Sequence, residues 1–471
     1  MDLDEFRREA HTLVDWMTNY LASIERRPVR AQVRPGEIAA QLPEAPPATP
    51  EPMAEIFADF ERIILPGITH WQHPSFFAYF PANSSPPSVL AEMLTATLAA
   101  QCMLWQTSPA ATELETRVLD WLRQMIGLPE GFAGVIQDTA SSATLCAVLV
   151  ARERATDWQA NEAGLGAQPP LTFYASEQAH SSVEKAVKIA GLGRENLRLI
   201  ACDDAFAMRP DALAEAIRAD RAAGRLPAGV VATLGTTGIG ASDPLRPIGE
   251  LCRTHGLYLH VDAAWAGSAL LLPEQRGLIE GIEHADSFVF NPHKWLLTNF
   301  DCSAHFVRDP KALTRTLSIL PAYLQSRETG QVIDYRDWGV PLGRRFRALK
   351  LWFVIRSYGV EKLQALLRDH IAWTAELAGQ IAAAPDFELT SPANLALLSF
   401  RYHPAGVDDD ATLDALNERL LNTLNDGGLV YLTQTRVRGR YVIRIAIGQT
   451  STTRAHVQRA WQVIQDTARG S

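Results

Sequence analysis

The chain has 471 residues, 47% hydrophobic and 21% charged, the balance of an ordinary soluble protein with room for more than one core. A net charge of -9 and a pI near 5.8 argue against nucleic acid as a main partner. No run approaches the roughly 18 to 20 apolar residues of a membrane span, and the acidic start "MDLDEFRREAHTLVDW" lacks the pattern of a signal peptide. Cys102, Cys146, Cys202, Cys252 and Cys302 lie far apart without a Cys-x-x-Cys pair. That spacing predicts reduced thiols in the cytoplasm, with neither a disulfide framework nor a metal site.

Leu3, Phe6, Ala10, Leu13, Met17, Tyr20 and Ile24 recur three and four apart, predicting an amphipathic helix stopped by Pro28. The proline-rich "LPEAPPATPEP" after it reads as an extended linker, so the apolar stripe is expected to cover a distant surface, such as a second subunit. Helical patterns follow at 88–103 and 113–128. Beyond them short apolar runs, "LTFYAS", "LRLIA", "GVVATLG", "LYLHVDA", "DSFVFN" and "CSAHFV", alternate with helices such as "SSVEKAVKIAGL". Alternation of this kind predicts an α/β fold with a mostly parallel sheet covered on both faces. From about residue 352 a smaller α+β segment begins, with "NLALLSFRYH" and "RYVIRIAIG". The expected division is 1–85 as a helical dimerisation segment, 86–351 as the large domain and 352–471 as the small one.

Parallel strands gather the residues at their carboxyl ends along one edge, where ligands bind. That edge collects Thr236 and Thr237, Asp262, Lys294, and His180 at the start of a helix. The helix opened by "DTASSATL" offers N–H groups and hydroxyls to a phosphate. A phosphate cradle, a flat ring, a carboxylate and a lysine together suit pyridoxal 5'-phosphate (PLP). Lys294 would bind its aldehyde as a Schiff base, and Asp262 would hold a proton on the ring nitrogen. Thr139, Ser141 and Asn291 would bind the phosphate, with His180 over the ring.

The chain resembles the aromatic-L-amino-acid decarboxylase family of group II PLP-dependent decarboxylases nearly end to end. The likeness is carried by "GITHWQHPSFFAYFP", "LWQTSPAATELE", "QAHSSVEKA", "LHVDAAWAGSA", "NPHKWLLTNFDCSA" and "DYRDWGVPLGRRFRALKLW", in order and at family-like spacing. The resemblance implies the fold-type I architecture of PLP enzymes and an obligate homodimer with active sites at the subunit interface. It implies the same roles for Lys294, Asp262 and His180, and adds His293 near the phosphate, Thr237 near the ring and Ala140 in the small-residue turn. Trp71, Tyr79, Phe80 and Pro81 match the lining of an aromatic side-chain pocket. Tyr323 matches a mobile-loop tyrosine that protonates the substrate carbon after carbon dioxide leaves.

Ala82-Asn83 stands where mammalian members have a threonine first, and Gln101 and Met103 replace an isoleucine and a phenylalanine at the pocket edge. Gly343 matches the glycine of indole-accepting plant members. The implied reaction turns tryptophan, 5-hydroxytryptophan, DOPA, tyrosine or phenylalanine into an arylalkylamine. The alternatives are an aldehyde synthase, whose plant examples tend to carry phenylalanine at the Tyr323 position, an aminotransferase of the same fold, and a non-catalytic PLP-binding protein.

Overall fold

The computed structural model describes residues 1–319, 328 and 330–470. It divides into two compact units, each discontinuous in sequence. One comprises Met1–Pro81, Ala375–Thr390 and Ser399–Ser471; the other comprises Ala82–Thr374 and Ser391–Leu398.

The larger unit is built on seven strands: β1 (Ala133–Gln137), β2 (Leu171–Ser176), β3 (Leu197–Ile200), β4 (Leu226–Thr233), β5 (Tyr258–Asp262), β6 (Ser287–Phe290) and β7 (Ser303–Val307). Their order in the sheet is β1-β7-β6-β5-β4-β2-β3. Pairs β2–β3, β2–β4, β4–β5 and β5–β6 are parallel, while β7 runs antiparallel to both β1 and β6. Every residue of β2, β5, β6 and β7 is buried, which is why these strands are mostly apolar without a polar residue at every second position. The six apolar runs of the sequence are all strands. β1 escaped notice, and it carries Gly134, where a Cβ would come within 3.0 Å of Leu119 and of Phe306. The glycine weakens the strand signal, yet only its absent side chain lets the helix Pro109–Met125 lie so close.

Helix Pro86–Leu98 ends earlier than its pattern suggests. Ala99 turns left-handed (φ 48°), and Cys102 then donates its N–H to the Arg344 carbonyl (3.0 Å). Helix Arg347–Ala383 is kinked at Gly359, whose φ of 67° is non-helical. The smaller unit carries a second sheet, with β8 (Phe387–Leu389), β9 (Leu397–Tyr402), β10 (Thr433–Val437) and β11 (Arg440–Ala446) in the order β10-β11-β9-β8.

The first helix, Leu3–Ser23, is capped by Asp2, whose carboxylate accepts from the Glu5 N–H (2.8 Å). Its later turns pack on their own chain: Trp16 stacks on Tyr20 (5.3 Å) and meets Phe57 and Phe60 edge-on, and Tyr20 Oη bonds His70 Nδ1 (2.8 Å). Its first turns do not. Leu3 is 83% exposed and Phe6 53%. Among the described residues no helix is long and apolar enough to cross a membrane.

Candidate active site

Five strand ends and one strand start meet at a single edge of the large sheet. β1 runs into Thr139 and the helix Ala140–Ala155; β2 leads to His180, the residue before helix Ser181–Ile189. β4 ends beside Gly235 and Thr237, β5 ends at Asp262, and β6 runs into Asn291 and the one-turn helix Pro292–Trp295 that carries Lys294. The inverted β7 begins at this edge, so Ser303 Oγ can donate to Asn291 Oδ1 (2.7 Å).

These residues enclose a cavity of about 210 Å³, lined by Thr139, Ala140, Ser141, His180, Thr237, Asp262, Asn291, His293 and Lys294, with Ser182, Thr233, Gly235, Ala264, Trp265 and Phe300. Asp262, Thr233, Asn291 and His293 are buried, whereas Ser141, His180, Thr237 and Phe300 are exposed; Lys294 is half-buried. The cavity therefore has a dry, polar floor and an open rim.

The floor is pre-set by backbone contacts. Asp262 Oδ1 accepts from the Ala264 N–H (3.0 Å), and the Asn291 N–H is held by the Ala264 carbonyl (2.8 Å). Gly235 is left-handed at φ 74°, and a Cβ there would stand 2.5 Å from that of Ala266. Its carbonyl accepts from Trp265 Nε1 (2.6 Å), which anchors the indole at the wall.

Both histidines have a defined tautomer when neutral. His293 Nδ1 accepts from the Cys302 N–H (2.9 Å), and His180 Nδ1 accepts from the Ser182 N–H (3.2 Å), so the ring proton sits on Nε2 in each. Burial, with the Lys294 ammonium beside it, pushes the His293 pKa down to about 3. His180 is also shifted down, by partial burial against the opposing pull of Asp262 and then by Lys294. Neutral rings put donors, not extra charge, around a bound anion.

The residues present suit a pyridoxal phosphate group. The Thr139 hydroxyl makes no capping bond to helix Ala140–Ala155, and the small Ala140 and Ser141 leave the first turn of that helix open to the cavity. Thr233 Oγ1, buried at the floor, has no hydrogen-bond partner among the described residues. A carboxylate and a primary amine complete the donor set that such a ring needs.

The remaining sequence-predicted residues lie elsewhere. Trp71, Tyr79, Phe80 and Pro81 belong to the smaller unit, where Trp71 stacks on Tyr79 (5.7 Å) and Tyr79 Oη bonds Tyr431 Oη (3.2 Å). Met103 and Gly343 are in the larger unit but do not line the cavity. Gly343 sits against Gln101, whose Nε2 would lie 3.3 Å from an added Cβ. Tyr323 falls outside the described residues. Ser182, Thr233 and Trp265 also line the cavity; Ser182 and Trp265 fall within "QAHSSVEKA" and "LHVDAAWAGSA", and the signal available for Thr233 was its place as the last residue of a strand.

Comparison with known proteins agrees with this chemistry. Residues 35–403 match the pyridoxal-dependent decarboxylase conserved domain. An aromatic-L-amino-acid decarboxylase of Rattus norvegicus is 44% identical, covering 99% of this chain and 98% of its own. A phenylacetaldehyde synthase of Arabidopsis thaliana is 43% identical over 99% and 96%. A solved structure of Oryza sativa TDC with PLP and tryptamine superposes with a TM-score of 0.97 at 36% identity, covering 100% and 99% of the two chains. The fold is that of fold-type I PLP enzymes, the cofactor is PLP, and the chain belongs to the pyridoxal-dependent decarboxylases, a family of carboxy-lyases.

Proposed function

We propose that this enzyme removes the carboxyl group of aromatic L-amino acids and releases the arylalkylamine and carbon dioxide. The observation that supports it most is the convergence of Lys294, Asp262 and His180 on one cavity beside the open helix N-terminus at Thr139. Relatives named as aromatic-L-amino-acid, tyrosine and tryptophan decarboxylases support the substrate class.

PLP, when bound, supplies the electron sink that makes loss of carbon dioxide feasible. Lys294 would hold the cofactor through its amine, and Asp262 would keep a proton on the ring nitrogen. Thr139, Ala140, Ser141, Asn291 and His293 would bind the phosphate, with His180 and Thr237 beside the ring. Trp71, Tyr79, Phe80, Pro81, Met103 and Gly343 are assigned to the aromatic side-chain pocket. Tyr323 delivers the proton to the substrate α-carbon and keeps the outcome an amine. We further infer a cytoplasmic homodimer, for which the uncovered Leu3 and Phe6 and the free cysteines are the support.

The test is product analysis, with and without oxygen, on a panel of tryptophan, 5-hydroxytryptophan, DOPA, tyrosine and phenylalanine. Amine and carbon dioxide in equal amounts are expected. Aldehyde, ammonia and hydrogen peroxide as main products would make the enzyme an aldehyde synthase instead. In Tyr323→Phe the balance is expected to move from amine to aldehyde, because the transferable proton is gone while the ring remains. Amine formation at the wild-type rate in that variant would assign the proton to another group.

A further inference from the structure

Lys294 stands in a helix of a single turn, Pro292–Trp295, which satisfies few of its own carbonyls. Backbone groups of this turn and the loop after it are met from far away in sequence. The Asn83 N–H donates to the His293 carbonyl (2.8 Å), and Asn83 Nδ2 donates to the carbonyl of Lys294 itself. Ser85 Oγ donates to the Leu297 carbonyl (2.7 Å), and Ser88 Oγ accepts from the Asn299 N–H (2.8 Å). Asn83, Ser85 and Ser88 are 1%, 3% and 0% exposed.

The local sequence explains why these groups are available. Ser85 occupies the N-cap position of helix Pro86–Leu98, yet its side chain makes no capping bond. Pro86 and Pro87 supply no N–H to the first turn, so of the second and third helical N–H groups that a capping oxygen would serve, only that of Ser88 exists. The hydroxyl turns to the lysine loop instead.

We propose that Asn83 is a positioning residue for Lys294, holding the backbone of the lysine-bearing turn so that the amine meets the cofactor at a fixed angle. This rests on the assignment of Lys294 as the cofactor-bearing residue. Ser85 supports the same loop more distally. Neither side chain lines the cavity.

The test uses the PLP-loaded enzyme and the variants Asn83→Ala, Asn83→Leu and Ser85→Ala. Two readouts apart from turnover are the rate of PLP release on dilution and the pH midpoint of the visible absorbance of lysine-bound PLP. Asp262, His180 and His293, the titratable groups on the other walls, are unchanged in these variants. Loss of the Asn83 amide is expected to speed release about tenfold, the cost of one buried donor removed, and to displace the midpoint. Ser85→Ala is expected to do the same to a lesser degree, and it provides the reading if the Asn83 variants do not fold.

A residue that only stabilises the fold would lower the melting temperature and leave both readouts alone. Wild-type release and midpoint in Asn83→Ala, or in Ser85→Ala where that is the only folded variant, would overturn the proposal. Lys294→Ala separates this from the underlying assignment. If that variant keeps the absorbance of lysine-bound PLP, the role of Lys294 fails and Asn83 is not the reason.

Discussion

Lys294 is half-buried at the end of β6, with the buried Asp262 and His293 among the cavity's other lining residues. Lys294→Ala is expected to abolish the visible absorbance of lysine-bound PLP and nearly all decarboxylation, and spectra with a carbon dioxide assay check both. A second residue-scale prediction concerns acid. His305, on β7, is fully buried, neither ring nitrogen has a hydrogen-bond partner among the described residues, and burial pushes its pKa from 6.5 to about 3. The folded state keeps this ring neutral, whereas the unfolded chain takes up a proton below 6.5. Stability is therefore expected to fall as pH drops from about 6.5 towards 3, by at most about 1.4 kcal/mol per pH unit for this group. His305→Phe should flatten that slope in denaturation midpoints measured from pH 7 to pH 4. An unchanged slope would assign the acid sensitivity to the other buried histidines, His260, His293 and His370, which burial shifts in the same direction. At this scale the sequence was most legible where a residue's place follows from its own strand: His180, Asp262 and Lys294 each stand at or just past a carboxyl end. Asn83 was not legible in this way. Its partner Lys294 is 211 positions away, and nothing local to either residue announces the bond.

At the scale of elements, strands buried on both faces were readable because burial leaves a run of apolar residues. β1 was not, since two of its five residues are half-buried and one is glycine. The antiparallel course of β7 was equally hidden, because an apolar run carries no sign of its direction. The arginine-rich "GRRFR" had no evident role in the sequence, and the elements now give it one. Arg344 Nη2 lies 2.6 Å from Glu115 Oε1 of helix Pro109–Met125, donates to the Ile136 carbonyl of β1 (2.9 Å), and sits 4.8 Å from the Tyr335 ring centroid. Glu115 also accepts from the Ile136 N–H (2.8 Å), so this pair pins helix to strand in a buried setting. Glu115→Ala leaves an arginine buried without its carboxylate. A loss of about 3 to 5 kcal/mol is expected in denaturant unfolding, with Glu115→Gln losing less. A loss under about 1 kcal/mol would mean that the guanidinium finds water or another acceptor.

At the scale of the whole molecule, the smaller unit takes Met1–Pro81 together with C-terminal stretches. Such an association between distant parts of the chain leaves no trace in local periodicity. The first helix was legible as amphipathic, but its stripe has two destinations. Tyr20, with Trp16 stacked on it from outside the stripe, is engaged by its own chain, while Leu3 and Phe6 stay uncovered. An exposed apolar strip of this kind asks for a partner surface. Removal of residues 1–25 is expected to cost the dimer, soluble expression, or both, checked by light scattering and by yield. A truncated chain that remains dimeric and active would make the strip dispensable.

The inverted β7 also governs when the large unit can be completed. Among the described residues β1 stands at the edge of the sheet with β7 as its one strand neighbour, Ala133 opposite Val307. A chain emerging from the ribosome thus makes the strand that leads to the phosphate-binding turn early and must leave it unpaired until nearly all of the sheet has been synthesised. Contacts so distant in sequence form slowly, and an unpaired strand is exposed to wrong neighbours in the meantime. The same strand that brings Ser303 to Asn291 closes the sheet, so the cofactor pocket cannot be complete before that strand has been made.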